Sequence, residues 1–209
     1  MKGILEYLRL RLKPVRSEQE SDSVLFTTAF AGLGVDATLL IPWEARAVEI
    51  GATRMKPGRG TKMLQSLWSK DKFMHHLDSE AIARMEAYID FATVPSNRDI
   101  IRQDEYGNFM VVVLSGSIAV DRMQPWGARL RLAEAIPGEL LGEMSLLDSG
   151  NRFSACTALT ECEVAVISAQ ALDEMLSDDP LLAANLIALL ARKLSLRLRV
   201  VSARLTDQT

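Results

Sequence analysis

The sequence predicts a mainly β domain with flanking helices, an antiparallel β-roll or jelly roll followed by a long C-terminal helix. Between about residues 87 and 168 the chain consists of short apolar or alternating runs, separated by turn sequences such as "PWG" and "DSGN". Many short strands at close spacing are typical of an antiparallel sandwich or barrel. The pattern then changes to helical spacing over residues 169–205, which are expected to form a short helix and a long one.

Residues 1–65 are expected to form a basic N-terminal helix and an extension. Residues 2–16 are predicted to form a basic helix with apolar side chains on one face. This helix either packs on the main domain or docks on a partner or an anionic membrane. Of these alternatives, the membrane is not favoured. The apolar stretch 24–42 is interpreted as a partly buried segment rather than a membrane span, because Asp36 interrupts it. Residues 56–62, "KPGRGTK", are interpreted as a flexible basic loop.

Residues 66–209 are expected to form the main domain. Its first helix is predicted to begin after Asp78, whose side chain is suited to cap a helix N-terminus, and to carry Ile82, Met85 and Ile89 at helical spacing. The β-roll then occupies about residues 87–168.

The long C-terminal helix is predicted to begin at Pro180, after the capping residue Asp179, and to end near Leu205. Its apolar side chains recur at nearly heptad spacing, at Ile187, Leu190, Leu194, Leu198, Val201 and Leu205. One face must pack on the β-roll, and a second apolar row indicates a partner helix. We therefore predict a homodimer that forms through the helix Ile187–Leu205.

Composition argues against several classes of function. The net charge of −3 gives no broad electrostatic footprint for nucleic acid. Cys156 and Cys162 do not form a C-x-x-C pair, which favours reduced core thiols in a cytoplasmic protein. His75 and His76 are adjacent and precede the strands, so neither a cupin-type metal site nor a Ser-His-Asp arrangement is expected, and we predict that the chain is not an enzyme.

Two charges lie in the stretch 138–158, which is otherwise rich in apolar and small residues. These are Glu143 and Arg152, and burying either without a partner costs several kcal/mol, roughly. The surrounding sequence runs Gly142-Glu143-Met144-Ser145-Leu146-Leu147, then "DSGN", then Arg152-Phe153-Ser154.

This arrangement closely resembles the phosphate-binding cassette of the cyclic nucleotide-binding domain family, and the resemblance covers about residues 67–205. The family pattern is G-E-(L/I/M)-(A/S)-L-L, a short loop, and R-(A/S)-(A/S/T). Two positions depart from the family: Asn97 replaces a usual turn glycine, a mild change because asparagine tolerates the left-handed region, and Phe153 replaces a small residue. Phe153 is expected either to crowd the phosphate or to point into the core.

The resemblance implies a role for each cassette residue, and elementary chemistry agrees. The guanidinium of Arg152 can pair with both exocyclic oxygens of a cyclic phosphate, and backbone N–H groups of a short helix opening at Gly142 can face the same anion. Gly142 permits close approach of the ligand, and Glu143 can accept a hydrogen bond from the ribose 2′-hydroxyl. Ser154 can donate its hydroxyl to the phosphate.

The base-binding residues are less well defined by the resemblance. Arg197 and Leu198 fall where the cAMP-binding members carry two hydroxyl residues that read adenine, so this helix lacks that contact. An arginine can still stack over a purine or donate to its acceptors. The expected ligand is cAMP, with cGMP second and a cyclic dinucleotide as a further alternative.

These inferences predict a cytoplasmic cyclic-nucleotide sensor that switches an effector protein. Only residues 206–209 follow Leu205, which leaves no room for a helix-turn-helix, so nucleic acid is not an expected partner. The alternative is a ligand-free dimeric adaptor that docks through its N-terminal segment. In that case Glu143 and Arg152 would pair with each other inside an empty β-roll.

Overall fold

The computed structural model describes residues 25–70 and 77–206, so the predicted basic helix at residues 2–16 and the histidines at 75 and 76 lie outside the described residues. The helices are α1 (Leu25–Gly32), α2 (Trp43–Ile50), α3 (Pro57–Trp68), α4 (Ser79–Met85), α5 (Glu143–Asp148), α6 (Ala169–Asp178) and α7 (Pro180–Thr206). Short 3-10 helices cover Ala37–Leu39 and Glu86–Tyr88. The strands are β1 (Leu40–Ile41), β2 (Thr53–Arg54), β3 (Asp90–Val94), β4 (Asp99–Ile101), β5 (Tyr106–Gly107), β6 (Phe109–Ser115), β7 (Ile118–Met123), β8 (Arg129–Ala135), β9 (Leu140–Leu141), β10 (Ala155–Ala158) and β11 (Cys162–Ser168).

Two antiparallel sheets form the β-roll, in the strand orders β4-β10-β7-β8 and β2-β3-β11-β6-β9, and β1 pairs with β5 in parallel. Successive side chains of a strand point to opposite faces of its sheet, and the central strands β6 and β11 of the five-stranded sheet are buried on both faces. On β6, Val111 and Val113 join a core that also receives Ile101 of β4 and Ile118 of β7, whereas Val112 joins the core formed with the helices. This architecture confirms the predicted mainly β fold with flanking helices and a long C-terminal helix.

The second core lies between the five-stranded sheet and the helices. It contains Leu64 of α3, Met85 of α4, Leu172 of α6 and Leu186 of α7, all of them fully buried or nearly so. Helix α7 therefore packs on the β-roll through its N-terminal half. Further along the same helix, Leu198 is 66% exposed and Val201 is 53% exposed.

The helix caps predicted from the sequence are present. Asp78 accepts a hydrogen bond from the backbone N–H of Ala81 at 2.8 Å, and Asp179 accepts one from Leu182 at 3.1 Å. Each bond satisfies one of the free N–H groups at a helix N-terminus. Pro180 is the first residue of α7, where its missing N–H costs nothing.

The prediction of a flexible loop at residues 56–62 is wrong, because most of that segment belongs to α3. Pro57 begins the helix, and Gly60 packs so closely on Phe91 that a Cβ would overlap the aromatic ring. The two glycines lower the helix propensity of this segment, but the close packing and the burial of Leu64 stabilise the helix. The predicted boundary between an N-terminal extension and the main domain, at residue 65, falls inside α3.

The apolar stretch that begins at residue 24 is divided among several elements. From residue 25 it contains α1, a 3-10 turn capped by Asp36, and strand β1. Among the described residues, no helix combines the length and the apolar character needed to cross a bilayer. Phe26 and Phe30 of α1 are buried.

Candidate functional site

The site begins where strand β9 turns into helix α5. Gly142 lies at this junction with a φ of 80°, a left-handed backbone conformation that residues with a Cβ rarely adopt. A Cβ here would lie 2.6 Å from Nη1 of Arg152 and 2.8 Å from Cδ1 of Ile101. Glycine is therefore required both by the backbone conformation and by the close approach of the arginine.

Arg152 is a buried cation, with 3% of its surface exposed. Its Nη1 donates to the carbonyl oxygen of Gly142 at 2.8 Å, and its Nη2 donates to that of Phe109 at 2.6 Å. The guanidinium also lies over the Phe109 ring, 4.8 Å from its centre. Burial lowers the pKa of Arg152 to about 10, since carbonyl oxygens stabilise a positive charge less well than water or a carboxylate does. The site thus holds a positive charge that an anion would stabilise.

The backbone on both sides of the guanidinium is fixed by a neighbouring loop. The N–H of Arg152 donates to the carbonyl of Glu105, and the N–H of Asp104 donates to the carbonyl of Arg152, each at 2.8 Å. Gly107 leaves the space that the guanidinium occupies, because a Cβ there would lie 2.7 Å from its Nη2. The loop therefore sets the position of the Arg152 side chain.

A second buried arginine, Arg46 of α2, supports this loop. It pairs with Glu49 at 2.8 Å and with Glu105, and its positive charge contributes to the lowered pKa of Arg152. Arg46 is not among the site residues predicted from the sequence, because it lies outside the cassette, 106 residues before Arg152. The sequence around Arg46 in helix α2 does not indicate that this arginine is buried.

Glu143 pairs with the long helix. It is 4% exposed, and burial raises its pKa above the ordinary value for a glutamate. Nη1 of Arg197 donates to its Oε1, and Nη2 of Arg197 donates to the carbonyl oxygen of Leu140 at 2.8 Å. Glu143 and Arg152 thus contact different partners, in contrast to the alternative in which they neutralise each other.

The remaining cassette residues predicted for the site differ in how far they are exposed and in what they contact. Met144 is partly exposed beside the cavity, and the buried hydroxyl of Ser145 donates to the carbonyl of Asn151 at 3.2 Å. Phe153 is half exposed, which excludes the predicted alternative that it points into the core. Arg122 covers the Phe153 ring at 4.1 Å and donates to the Phe153 carbonyl oxygen.

These residues enclose a cavity of about 70 Å³. Its lining comprises Ile101, Val120, Leu141, Gly142, Glu143, Met144, Ser145, Arg152, Phe153, Ser154, Cys156 and Arg197. Leu198, predicted beside Arg197, is absent from that lining and points largely to solvent. Arg197 also lines a second cavity, of about 640 Å³.

The cavity brings together an arginine suited to a phosphate and a glutamate suited to a hydroxyl, and this arrangement has counterparts among known proteins. Residues 92–179 match the family model of the cyclic nucleotide-binding domain. This part of the chain belongs to that family. The matched residues run from β3 to the end of α6, and they include the whole cassette.

Sequence relatives of the domain are regulators. The chain is 34% identical to a cyclic AMP receptor protein from Thermus thermophilus over 120 residues, which are 57% of this chain and 56% of that protein. It is 27% identical to a CRP-like cAMP-activated global transcriptional regulator from Mycobacterium tuberculosis over 118 residues, 56% of this chain and 53% of the relative. The chain therefore spans about half the length of the curated relatives it matches.

Solved structures show the same fold. A cyclic nucleotide-binding domain from Methylobacillus flagellatus aligns with a TM-score of 0.69 at 21% identity, covering 76% of this chain and 89% of that one. The catabolite activator protein of Thermus thermophilus aligns with a TM-score of 0.54 at 33% identity, covering 62% of each chain.

Proposed function

We propose that the chain is a regulator that binds one cyclic nucleotide in the smaller cavity, with Arg152 as the partner of the cyclic phosphate and Glu143 as the partner of the ribose. Its relatives are regulators rather than enzymes, which supports a binding function without catalysis. The buried free thiols of Cys156 and Cys162 support a reducing compartment such as the cytoplasm.

The observation that carries this proposal is the environment of Arg152. A guanidinium that is 3% exposed and bound to two carbonyl oxygens is poorly stabilised, as its lowered pKa of about 10 indicates. A cyclic phosphate would bring one negative charge and two exocyclic oxygens to the same place. Charge-assisted hydrogen bonds to phosphate are about twice as strong as neutral ones. Binding of the phosphate would therefore offset the cost of burying the guanidinium charge, and it would also add hydrogen bonds.

Glu143 supports a ribonucleotide ligand. Arg197 donates to Oε1, which leaves Oε2 and further lone pairs as acceptors for a 2′-hydroxyl. The Ser154 hydroxyl also lines the cavity and is a second donor for the phosphate. The names of the relatives suggest cAMP as the ligand, with cGMP and a cyclic dinucleotide as the alternatives.

We further propose that the output passes through helix α7 to a second copy of the chain and to an effector protein. The exposed side chains of Leu198 and Val201 support a homodimer, since they leave an apolar strip on the C-terminal half of the helix. The net charge of −3 argues against nucleic acid as the target of this part of the protein.

The test is isothermal titration calorimetry with cAMP, cGMP and cyclic di-GMP, each up to millimolar concentration. One site per chain for at least one of the monocyclic nucleotides is the expected result, with 2′-deoxy-cAMP binding more weakly than cAMP because it lacks the hydroxyl for Glu143. If none of the ligands binds, the sensor proposal fails, and the alternative of a ligand-free dimeric adaptor takes its place.

A further inference from the structure

We propose that Arg197 selects the base of the bound nucleotide and favours guanine over adenine. The inference rests on the proposed function, since it concerns the ligand of the same site. It reverses the order expected from the sequence, in which cAMP precedes cGMP, because that order followed from the family resemblance and not from this side chain.

The geometry holds the Arg197 guanidinium at the edge of the phosphate cavity. One anchor is the carboxylate of Glu143 and the other is the carbonyl oxygen of Leu140, at 2.8 Å from Nη2. A guanidinium has five N–H donors, and these two anchors leave others for a ligand. Because the two anchors lie on α5 and β9, the orientation of the guanidinium is fixed before a ligand arrives.

The phosphate cavity is too small for a whole nucleotide. A cavity of about 70 Å³ is well below the few hundred Å³ that small-molecule sites usually provide. A nucleotide whose phosphate is on Arg152 must therefore extend beyond it. The cavity of about 640 Å³ has Arg197 in its lining as well, so a base that enters it from the phosphate cavity is expected to approach this side chain.

The hydrogen-bonding edges of the purines then decide the preference. Guanine presents two neighbouring acceptors, O6 and N7, and an arginine can donate to both at once. Adenine presents the N7 acceptor beside an amino group, which is itself a donor and would face a side chain that has no acceptor. Glu143 could accept from that amino group only with acceptors that the proposed function assigns to the ribose, since its Oε1 is paired with Arg197.

Other side chains of the two cavities offer little compensation for adenine. Glu139 of the larger cavity could accept from the amino group, but its Oε2 already accepts from the backbone N–H of Ile136 at 3.1 Å. Met144 and Phe153, both partly exposed, are apolar, and the hydroxyl of Ser145 is used by the carbonyl of Asn151. Ser154 is the remaining hydroxyl of the lining, and it lies two residues from Arg152, on the phosphate side. Lys70 and Lys193 are further donors in the larger cavity, but an ammonium group does not present the planar pair of donors that guanine accepts. Among the described lining residues, Arg197 combines that pair of donors with a position in both linings.

The test compares cGMP, cAMP and cyclic IMP by calorimetry or by competition with a fluorescent cyclic nucleotide. Cyclic IMP carries O6 and N7 but lacks the 2-amino group, so it isolates the edge that Arg197 would contact. The wild type is expected to bind cGMP and cyclic IMP about tenfold to a hundredfold more tightly than cAMP, the range that one bidentate contact supplies. Arg197→Met should reduce these ratios to below about threefold, since its side chain has no donor.

Leu198→Ala is the matched control, because this neighbour on α7 lies outside the phosphate cavity and should leave the ratios unchanged. Tighter binding of cAMP than of cGMP by the wild type, or ratios unaffected in Arg197→Met, would overturn the inference while leaving the proposed function intact. Failure of all three nucleotides to bind would overturn the proposed function and this inference together.

Discussion

The strongest prediction concerns replacement of Arg152 by methionine, a side chain of comparable length without charge. Loss of the charge should abolish most of the ligand affinity, by on the order of 2–4 kcal/mol, because the charge-assisted pair with the phosphate disappears from a buried position. That range corresponds to a loss of about 30-fold to 700-fold in Kd.

Two opposing contributions determine how the same substitution changes the stability of the unliganded protein. Burial lowers the pKa of Arg152 to about 10, which corresponds to an unfavourable free energy on the order of 3 kcal/mol for the charged form. Methionine removes this cost, but the carbonyls of Gly142 and Phe109 lose their donors, at about 1–3 kcal/mol each when fully buried. The two contributions are opposite in sign and partly cancel, so we expect the free energy of unfolding to stay within about 3 kcal/mol of the wild type.

The assay is calorimetric titration of ligand together with urea unfolding of the same samples. Arg122→Met serves as a matched control, because this arginine lies over Phe153 outside the cavity lining and should affect the affinity little. Arg152→Lys keeps the positive charge but lacks the paired N–H donors of a guanidinium, so this variant should bind the ligand with intermediate affinity. If Arg152→Met binds within threefold of the wild type, the assignment of Arg152 to the phosphate is refuted.

Further predictions concern packing, assembly, motion and pH. Gly60→Ala should lower the free energy of unfolding in urea by about 1–3 kcal/mol, because the added methyl overlaps the ring that packs there. Light scattering should give twice the chain mass of 23.1 kDa and Leu198→Glu should lower it, whereas a wild-type monomer would contradict the dimer. Ligand should slow hydrogen exchange across residues 182–205, and a change confined to residues 142–154 would show that α7 is not coupled to the site. Burial raises the pKa of Glu143, so the folded chain binds a proton there more readily than the unfolded chain, and stability should fall as the pH rises through that raised pKa. The Glu143→Gln variant, compared by urea unfolding at several pH values, should lack this contribution.

The elements that sequence analysis predicted correctly are those whose pattern is local. The continuous apolar run of β6, the mixed pattern of β7 and the caps at Asp78 and Asp179 depend on residues within a few positions of one another. The segment 56–62 failed for the opposite reason. Its glycines indicate a loop when the segment is considered alone, and what makes Gly60 suitable for a helix is the ring of Phe91, on a strand that follows later in the chain. Propensity was overridden there by tertiary packing.

The same distinction between local and distant determinants applies to the site. The cassette motif gave the residue types and spacing of Gly142, Glu143 and Arg152, because one short stretch of chain carries all of them. It could not indicate which group would contact Glu143, since Arg197 lies 54 positions further along the chain. Helical periodicity places Arg197 on α7 but does not determine which face of this helix packs on the β-roll. That face is set by Leu186 and Leu190, which are buried in the core formed with the helices. A ligand that alters the contact between Glu143 and Arg197 therefore acts on a helix whose other end is anchored in the core and whose exposed half carries Leu198 and Val201. That connection gives a physical route from nucleotide binding to the proposed dimer surface.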